Sequence, residues 1–112
     1  MNAPVIIAAA RSAIGTAGRS LAGVTADQLA GPVLAATLDR SGLAPEDVSD
    51  VVLGNCMGPG GDVARSASLA AGLPVTVPAL TVDRQCASGL AAIDVAVSLV
   101  RGGASAVLAG GV

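Results

Sequence analysis

The stretch DRQCASGLAAIDVAVSLV, residues 83–100, decides the fold. It places Cys86 directly before a segment of helical length that is apolar on almost every side, interrupted by Asp94 and Ser98. A helix that is apolar all round is buried on every side, because a surface helix keeps one polar face for water. The segment is too short to cross a membrane. We therefore expect a fully buried helix after Cys86, covered by a sheet on one side and by a second layer for which these 112 residues leave no segment.

Short apolar runs alternate with helical patterns along the whole chain. Continuous apolar runs are typical of strands covered on both faces, and the connections between them are long enough for crossovers. This order predicts an α/β fold in one domain, β-α-β-α-β-α-β, with a mostly parallel sheet. The predicted strands are residues 4–10, 51–55, 79–83 and 105–112, and the predicted helices are residues 25–42, 63–72 and 87–103.

Local signals fix several helix ends. Thr25 and Gln28 have the spacing of a capping box, and Gly42 suits the left-handed position after a helix. Asp62 is a candidate N-cap for the second helix. Pro32 lies inside the first helical pattern, where the missing N–H predicts a kink or a restart.

The composition excludes several classes of function. The net charge is −2 and the six basic residues are scattered arginines, so no basic face predicts a nucleic-acid partner. The apolar start lacks a basic leader and is too short to span a bilayer, so we expect a cytoplasmic protein without a membrane span. The chain has no histidine, so no side chain with a naturally near-neutral pKa is present to act as a general base.

Cys86 is the candidate nucleophile. It lies where a predicted strand passes into a predicted helix, so its sulfur faces unpaired backbone N–H groups and the positive end of the helix dipole. Both stabilise a thiolate relative to a thiol, and Arg84 adds a cation nearby in sequence. The position alone leaves the alternative of a plain buried cysteine open.

The remaining motifs have simpler interpretations. We expect Cys56 to be structural, and no further Cys or His stands at the spacing of a metal site. GPGGDVARS, residues 58–66, lacks the Lys-Ser/Thr pair of a phosphate loop and predicts a turn before a capped helix. Asp83 and Asp94 flank the cysteine, and we expect an ion-pair or helix-edge role for them.

Four stretches resemble the thiolases, which make or cleave the carbon–carbon bond of β-ketoacyl-CoA thioesters. VIIAAARSAIGTAGRSLAG is similar to the opening strand and turn of that family, and GDVARSASLAAGLP to its second-helix motif. TVDRQCASGLAAI resembles its nucleophile motif, and AVLAGGV the strand after the buried helix. The resemblance covers the whole chain and identifies residues 1–112 as an incomplete N-terminal-type domain of a thiolase.

The resemblance implies that the sulfur of Cys86 accepts the acyl group from an acyl-CoA and that the backbone N–H of Cys86 contributes to an oxyanion hole. It implies coenzyme A thioesters as substrates, no separate cofactor or metal, and a place in lipid metabolism. The catalytic His, a second Cys, an Asn loop and most of the CoA pocket belong to the other half of the family's fold. A complementary C-terminal half or second chain is therefore implied, in a homo-oligomer or hetero-oligomer, with the helix after Cys86 sandwiched between two sheets.

Two departures from the family's pattern accompany this resemblance. Asp83 replaces the usual Asn and places a charge close to the nucleophile, and GDVAR replaces the usual Asn-Pro before the Ala-Arg pair. Three functions stay open: a thiolase acting by ping-pong acyl transfer through Cys86, a thiolase-like condensing enzyme of a biosynthetic pathway, and a truncated subunit that binds a partner without catalysis.

Overall fold

The computed structural model describes residues 3–112 and contains a small parallel sheet with helices on both faces. The elements are α1 (Ala26–Ser41), a 3-10 turn (Pro45–Asp47), β1 (Asp50–Gly54), α2 (Val63–Ala70), β2 (Ala79–Val82), α3 (Ser88–Arg101) and β3 (Val107–Gly111). The three strands and three helices lie inside or within a residue or two of the segments predicted from the sequence. The α/β class and the parallel sheet are confirmed.

The sheet has the order β2-β1-β3, with both pairings parallel. Gly54 at the end of β1 is level with Val82 of β2 and Gly111 of β3, so the three carboxyl ends share one edge. The central strand is the most deeply buried, since Val51 and Val52 have no exposed surface. A strand buried on both faces explains why residues 51–54 form one apolar run instead of an alternating pattern.

The helices form a layer on each side of this sheet. Successive residues of a strand point to opposite faces. Val51 and Leu53 of β1 belong to the core cluster that includes Leu34 of α1 and Ala67 of α2. The first turn of α3 instead meets Gly54, which lies on the other face of β1. The sheet is therefore covered by α1 and α2 on one face and by α3 on the other.

The helix signals are largely confirmed. The N–H of Thr25 donates to Gln28 Oε1 at 3.0 Å, while the Thr25 hydroxyl donates to Asp27 at 2.6 Å. Gly42 follows α1 with φ +75°, the left-handed conformation that glycine adopts without strain. Helix α1 runs through Pro32 as one continuous helix, so the helix does not restart there.

The prediction of a first strand at residues 4–10 is wrong. This segment forms no strand among the described residues, and Val5 and Ile6 are 77% and 81% exposed. A short apolar run becomes a strand only where a neighbouring strand and two covering layers are present, and nothing within residues 3–112 supplies them. The guanidinium of Arg40 donates to the Ala9 carbonyl oxygen at 3.0 Å and ties the segment to α1.

Candidate active site

Cys86 lies in a tight turn between the end of β2 and the start of α3, at the carboxyl edge of the sheet. Its side chain is exposed, and it is a free cysteine. The structure thus places the thiol at a strand-to-helix junction, as its position in the sequence predicts. An exposed thiol at this junction is open to a reagent or substrate that approaches the first turn of α3.

The turn around Cys86 is held by side chains on both sides of Gln85. Gln85 has φ +49°, a conformation that non-glycine residues rarely adopt. Asp83 Oδ1 accepts the Gln85 N–H at 2.9 Å, and the Ser88 hydroxyl donates to the Gln85 carbonyl oxygen at 2.6 Å. The same hydroxyl accepts the Arg84 N–H at 2.8 Å.

The backbone N–H groups around Cys86 differ in their hydrogen bonding. Neighbouring groups are paired: the Ala87 N–H donates to the Arg84 carbonyl oxygen and the Ser88 N–H to that of Gln85, at 3.0 and 3.1 Å. For the Cys86 N–H, residues 3–112 provide no acceptor. A free N–H beside an exposed thiol, at the positive end of α3, is the arrangement that stabilises a developing oxyanion.

Glycines place the start of α3 directly on the sheet. A Cβ added to Gly54 would lie 2.2 Å from the Ser88 carbonyl carbon, and a Cβ added to Gly111 would lie 2.9 Å from the Gly89 Cα. Only residues without a side chain allow backbones to approach so closely. The turn that contains Cys86 thus leads into a helix whose first turn rests against the carboxyl ends of β1 and β3.

The loop after β1 lies at the same edge of the sheet. Asn55 Nδ2 donates to the Val112 carbonyl oxygen at 2.7 Å, and Asn55 Oδ1 accepts the Gly58 N–H at 2.9 Å. Cys56, the next residue, is half-buried and free, whereas Cys86 is exposed. That Cys56 is the structural cysteine of the two stays a prediction.

The two aspartates near the cysteine have different surroundings. The Asp83 carboxylate accepts a backbone N–H two residues later inside the turn, a role that the expected ion-pair or helix-edge role does not include. Asp94 lies on the open side of α3, where it lines an open cleft of about 400 Å³ together with apolar side chains. The residues that line this cleft are Arg84, Ala87, Leu90, Ala91, Ile93, Asp94 and Val97.

Helix α3 is covered on one side only in this structure. Ser88, Ala91, Ala92 and Ala96 are buried against the sheet. On the opposite side Leu90 and Ile93 are 71% and 41% exposed. The expected second cover does not come from residues 3–112, so the helix that the sequence predicts as buried on every side has an open apolar face here.

The GPGGDVARS stretch is a loop followed by a capped helix, as predicted. Asp62 Oδ1 accepts the Arg65 N–H at 3.2 Å and the Thr81 hydroxyl at 2.6 Å, which ties the start of α2 to β2. Within the described part of the chain no group of three or more His, Cys, Asp or Glu side chains is placed to hold a metal ion. No helix among those residues has the length and apolar character needed to cross a membrane.

Sequence reasoning missed two contributors to this site. The sequence pattern predicts Ser88 only as an ordinary helix residue and Gly54 only as the end of an apolar strand. The available signal for Ser88 is its place four residues after Arg84, within reach of the turn before a helix. Gly54 gives no local signal, because its role depends on a helix that begins 34 positions later in the chain.

Comparison with known proteins identifies relatives over nearly the whole chain. A profile of the family described as "Thiolase, N-terminal domain" matches residues 4–112. An acetyl-CoA acetyltransferase of Cupriavidus necator is 44% identical over 99% of this chain, and one of Thiocystis violacea is 46% identical over 96% of it. The chain spans only 29% and 28% of the length of these two relatives.

The fold has a solved counterpart of the same kind. The crystal structure of the Bacillus anthracis acetyl-CoA acetyltransferase superposes with a TM-score of 0.92 at 46% sequence identity. The match covers 96% of this chain and 28% of that one. Sequence and structure therefore agree on one N-terminal region within much longer proteins.

Proposed function

This chain belongs to the thiolase family, and from that premise we propose that it carries the nucleophile of an acyl-CoA C-acyltransferase. The match is to the N-terminal domain, and the relatives from Cupriavidus necator and Thiocystis violacea are acetyl-CoA acetyltransferases. Coenzyme A thioesters are the proposed substrates, with no separate cofactor. The proposed setting is a cytoplasmic oligomer.

The observation that carries the proposal is the pairing of an exposed thiol with a free N–H in one residue. Cys86 is exposed, and its own N–H lacks an acceptor in the described part of the chain. A sulfur nucleophile and an oxyanion donor within one residue suit attack on a thioester carbonyl. The helix dipole of α3 favours negative charge at the same point.

The proposed reaction has two half-reactions. In the first, the Cys86 thiolate attacks the thioester carbonyl carbon, a tetrahedral oxyanion forms beside the Cys86 N–H, and its collapse breaks the bond to the sulfur of coenzyme A. In the second, the α-carbon of another acyl-CoA loses a proton and attacks the acyl carbon on Cys86. The new carbon–carbon bond forms as the Cys86 sulfur leaves with its electron pair, and cleavage is the reverse.

Proton transfer in this scheme needs groups that are not among these residues. The sequence contains no histidine, and a general base or acid must lie within hydrogen-bond reach of the proton it moves. We place those groups, and most of the coenzyme A pocket, on a complementary C-terminal part that packs on the open face of α3. The complete enzyme is residues 1–112 joined to or assembled with that part.

The test is to trap the acyl intermediate. The complete enzyme is mixed with acetyl-CoA, quenched in acid and digested, and peptide masses are measured. The peptide with Cys86 should gain one acetyl group, and Cys86→Ser should lose both this adduct and turnover. Cys56→Ser is the matched control, since it removes the half-buried cysteine and should keep both. Acetylation of Cys56 instead, or turnover by Cys86→Ser, would refute the role of Cys86.

The same experiment separates the other two functions. A condensing enzyme of another pathway would form the adduct on Cys86 from a different thioester and give no acetoacetyl-CoA from acetyl-CoA. A non-catalytic subunit would bind the complementary part and form no adduct with any thioester. Thiolytic cleavage of acetoacetyl-CoA by the complete enzyme favours the thiolase over both.

A further inference from the structure

Ser88 connects the turn that carries Cys86 to the fixed start of α3. Its hydroxyl accepts the Arg84 N–H at 2.8 Å and donates to the Gln85 carbonyl oxygen at 2.6 Å. We propose that Ser88 is a positioning residue for Cys86, which holds Gln85 in its left-handed conformation and so fixes the direction of the Cys86 sulfur and N–H. This inference rests on the proposed function of Cys86.

The turn needs such a restraint because of Gln85. Its φ of +49° is uncommon for a residue that has a side chain, and such conformations persist only where the surroundings hold them. The Asp83 carboxylate restrains the N–H side of Gln85, and the Ser88 hydroxyl restrains the carbonyl side. The Asp83 contact is exposed to water, whereas Ser88 is only 5% exposed. The Ser88 hydroxyl is therefore the side-chain restraint with which water competes least, and it adds to the bond that the Ser88 backbone N–H makes to the same carbonyl oxygen at 3.1 Å.

The restraint acts on the reacting atoms through one peptide unit. The Gln85 carbonyl group and the Cys86 N–H belong to the same planar peptide, so a bond that fixes the carbonyl oxygen also fixes the N–H. Ser88 itself cannot move easily, because its backbone carbonyl packs against Gly54. Fixing the oxyanion donor before the substrate arrives removes a reorganisation that the reaction would otherwise include.

A matched pair of serine variants in the complete enzyme tests this. The Ser41 hydroxyl makes the same kind of bridge at the end of α1, since it donates to the Leu38 carbonyl oxygen and accepts the Leu43 N–H. Ser88→Ala should slow acetylation of Cys86 by acetyl-CoA at least about tenfold, mainly in kcat, because a misplaced oxyanion donor acts on the transition state. Ser41→Ala should lower the thermal midpoint to a similar extent and leave the acetylation rate unchanged.

Rescue by the neighbouring residue separates positioning from general stability. Glycine adopts positive φ about as readily as negative φ, so Gln85→Gly no longer needs the hydroxyl to hold the turn. The double variant Gln85→Gly, Ser88→Ala should recover most of the acetylation rate that Ser88→Ala loses. If Ser88→Ala does not fold, the test uses the double variant, and its reference is the Gln85→Gly variant that retains Ser88.

Four outcomes overturn the inference while leaving the proposed function intact, provided that Cys86→Ser abolishes turnover. These are a wild-type acetylation rate in Ser88→Ala, an equal loss of rate in Ser41→Ala, a folded double variant that stays slow, and failure of both Ser88 variants to fold. Turnover by Cys86→Ser is a separate result, because it refutes the proposed function itself.

Discussion

Gly54 and Ser88 are in direct backbone contact, so the last residue of β1 and the first residue of α3 fix each other. A Cβ on Gly54 would lie 2.2 Å from the Ser88 carbonyl carbon and 2.3 Å from its oxygen. Neither atom belongs to a flexible side chain, and any side chain at residue 54 would have to move the helix. The contact fixes how closely the start of α3 packs on the sheet, and so it fixes the position of the turn that contains Cys86.

Gly54→Ala should therefore destabilise the complete enzyme and slow the alkylation of Cys86. Overpacking of a well-packed site typically costs about 1–3 kcal/mol. Gly110→Ala is the control, because its Cβ would meet only Leu53 Cδ2 at an ordinary 3.7 Å. Thermal unfolding and the rate of iodoacetamide labelling at Cys86 are the measurements. Equal midpoints for the two variants would mean that α3 shifts freely on the sheet.

Much of this architecture could be predicted because its signals are local. The strand at 50–54 and the helix at 26–41 are marked by an apolar run and by caps, each within a few neighbouring residues. The contact between Gly54 and Ser88 joins residues far apart in sequence, so no local pattern predicts it. The prediction of a strand at residues 4–10 is wrong for a related reason. An apolar run shows only that a segment could form a buried strand, and the strand forms only if a partner strand lies beside it.

Within the site, the position of Cys86 could be predicted and the restraint of its turn could not. A cysteine between a strand and a helix is visible from spacing alone. The left-handed Gln85 is not, because glutamine has no preference for that conformation and adopts it only through contacts with Asp83 and Ser88. Tertiary contacts decide such positions.

Replacement of Ser68 by alanine should stabilise the protein. It lies in α2 with no exposed surface, and its hydroxyl lacks a hydrogen-bond partner among the described residues. Ser68→Ala removes a desolvated polar group and adds helix propensity, for a gain of about 1 kcal/mol. Ser66→Ala, on the exposed side of the same helix, should show only the smaller propensity effect. A lower thermal midpoint for Ser68→Ala than for the wild type would show that the hydroxyl has a partner.

Arg65 should stabilise the segment before β2. Its guanidinium donates to the Val77 and Val75 carbonyl oxygens at 2.7 and 2.9 Å. Loss of these partly exposed, charge-assisted bonds in Arg65→Ala should cost about 1–2 kcal/mol. Arg65→Lys retains the charge without the forked geometry, so its thermal midpoint should lie between those of the wild type and Arg65→Ala. Arg19→Ala is the control, because it removes an exposed arginine. Equal thermal midpoints for Arg65→Ala, Arg65→Lys and Arg19→Ala would show that Arg65 does not stabilise the segment before β2.

Asp27 should make helix α1 sensitive to acid. The hydroxyl of Thr25 donates to its carboxylate and lowers the pKa of Asp27 below the ordinary 3.8. A group with a lowered pKa stabilises the helix above the ordinary value and loses that effect as the pH falls through the lowered one. In a synthetic peptide of residues 24–43, the helicity difference between wild type and Asp27→Asn should shrink on acidification below pH 3.8. A difference that is constant with pH would contradict this.

The 112-residue polypeptide, purified alone, should self-associate or unfold without a sharp transition. Leu90 and Ile93 leave an apolar face on α3, and Val5, Ile6 and Ile14 add exposed aliphatic side chains nearer the N-terminus. Burying one such side chain contributes about 1.5–3 kcal/mol, so leaving roughly four or five in water forfeits about the whole stability of a small domain.

The variants that test this isolate the face of α3. The 112-residue polypeptide with Leu90→Gln and Ile93→Gln should show a lower mass by light scattering than the unaltered polypeptide, because both changes remove apolar surface from the open side of the helix. Leu69→Gln is the control, since Leu69 is 44% exposed on α2, away from that face. Without a histidine, none of these polypeptides should condense acetyl-CoA. A monodisperse wild-type monomer with a cooperative melt would show that the open face of α3 needs no cover. The case for a complementary C-terminal part would then rest on the missing proton-transfer groups and on the greater length of the relatives.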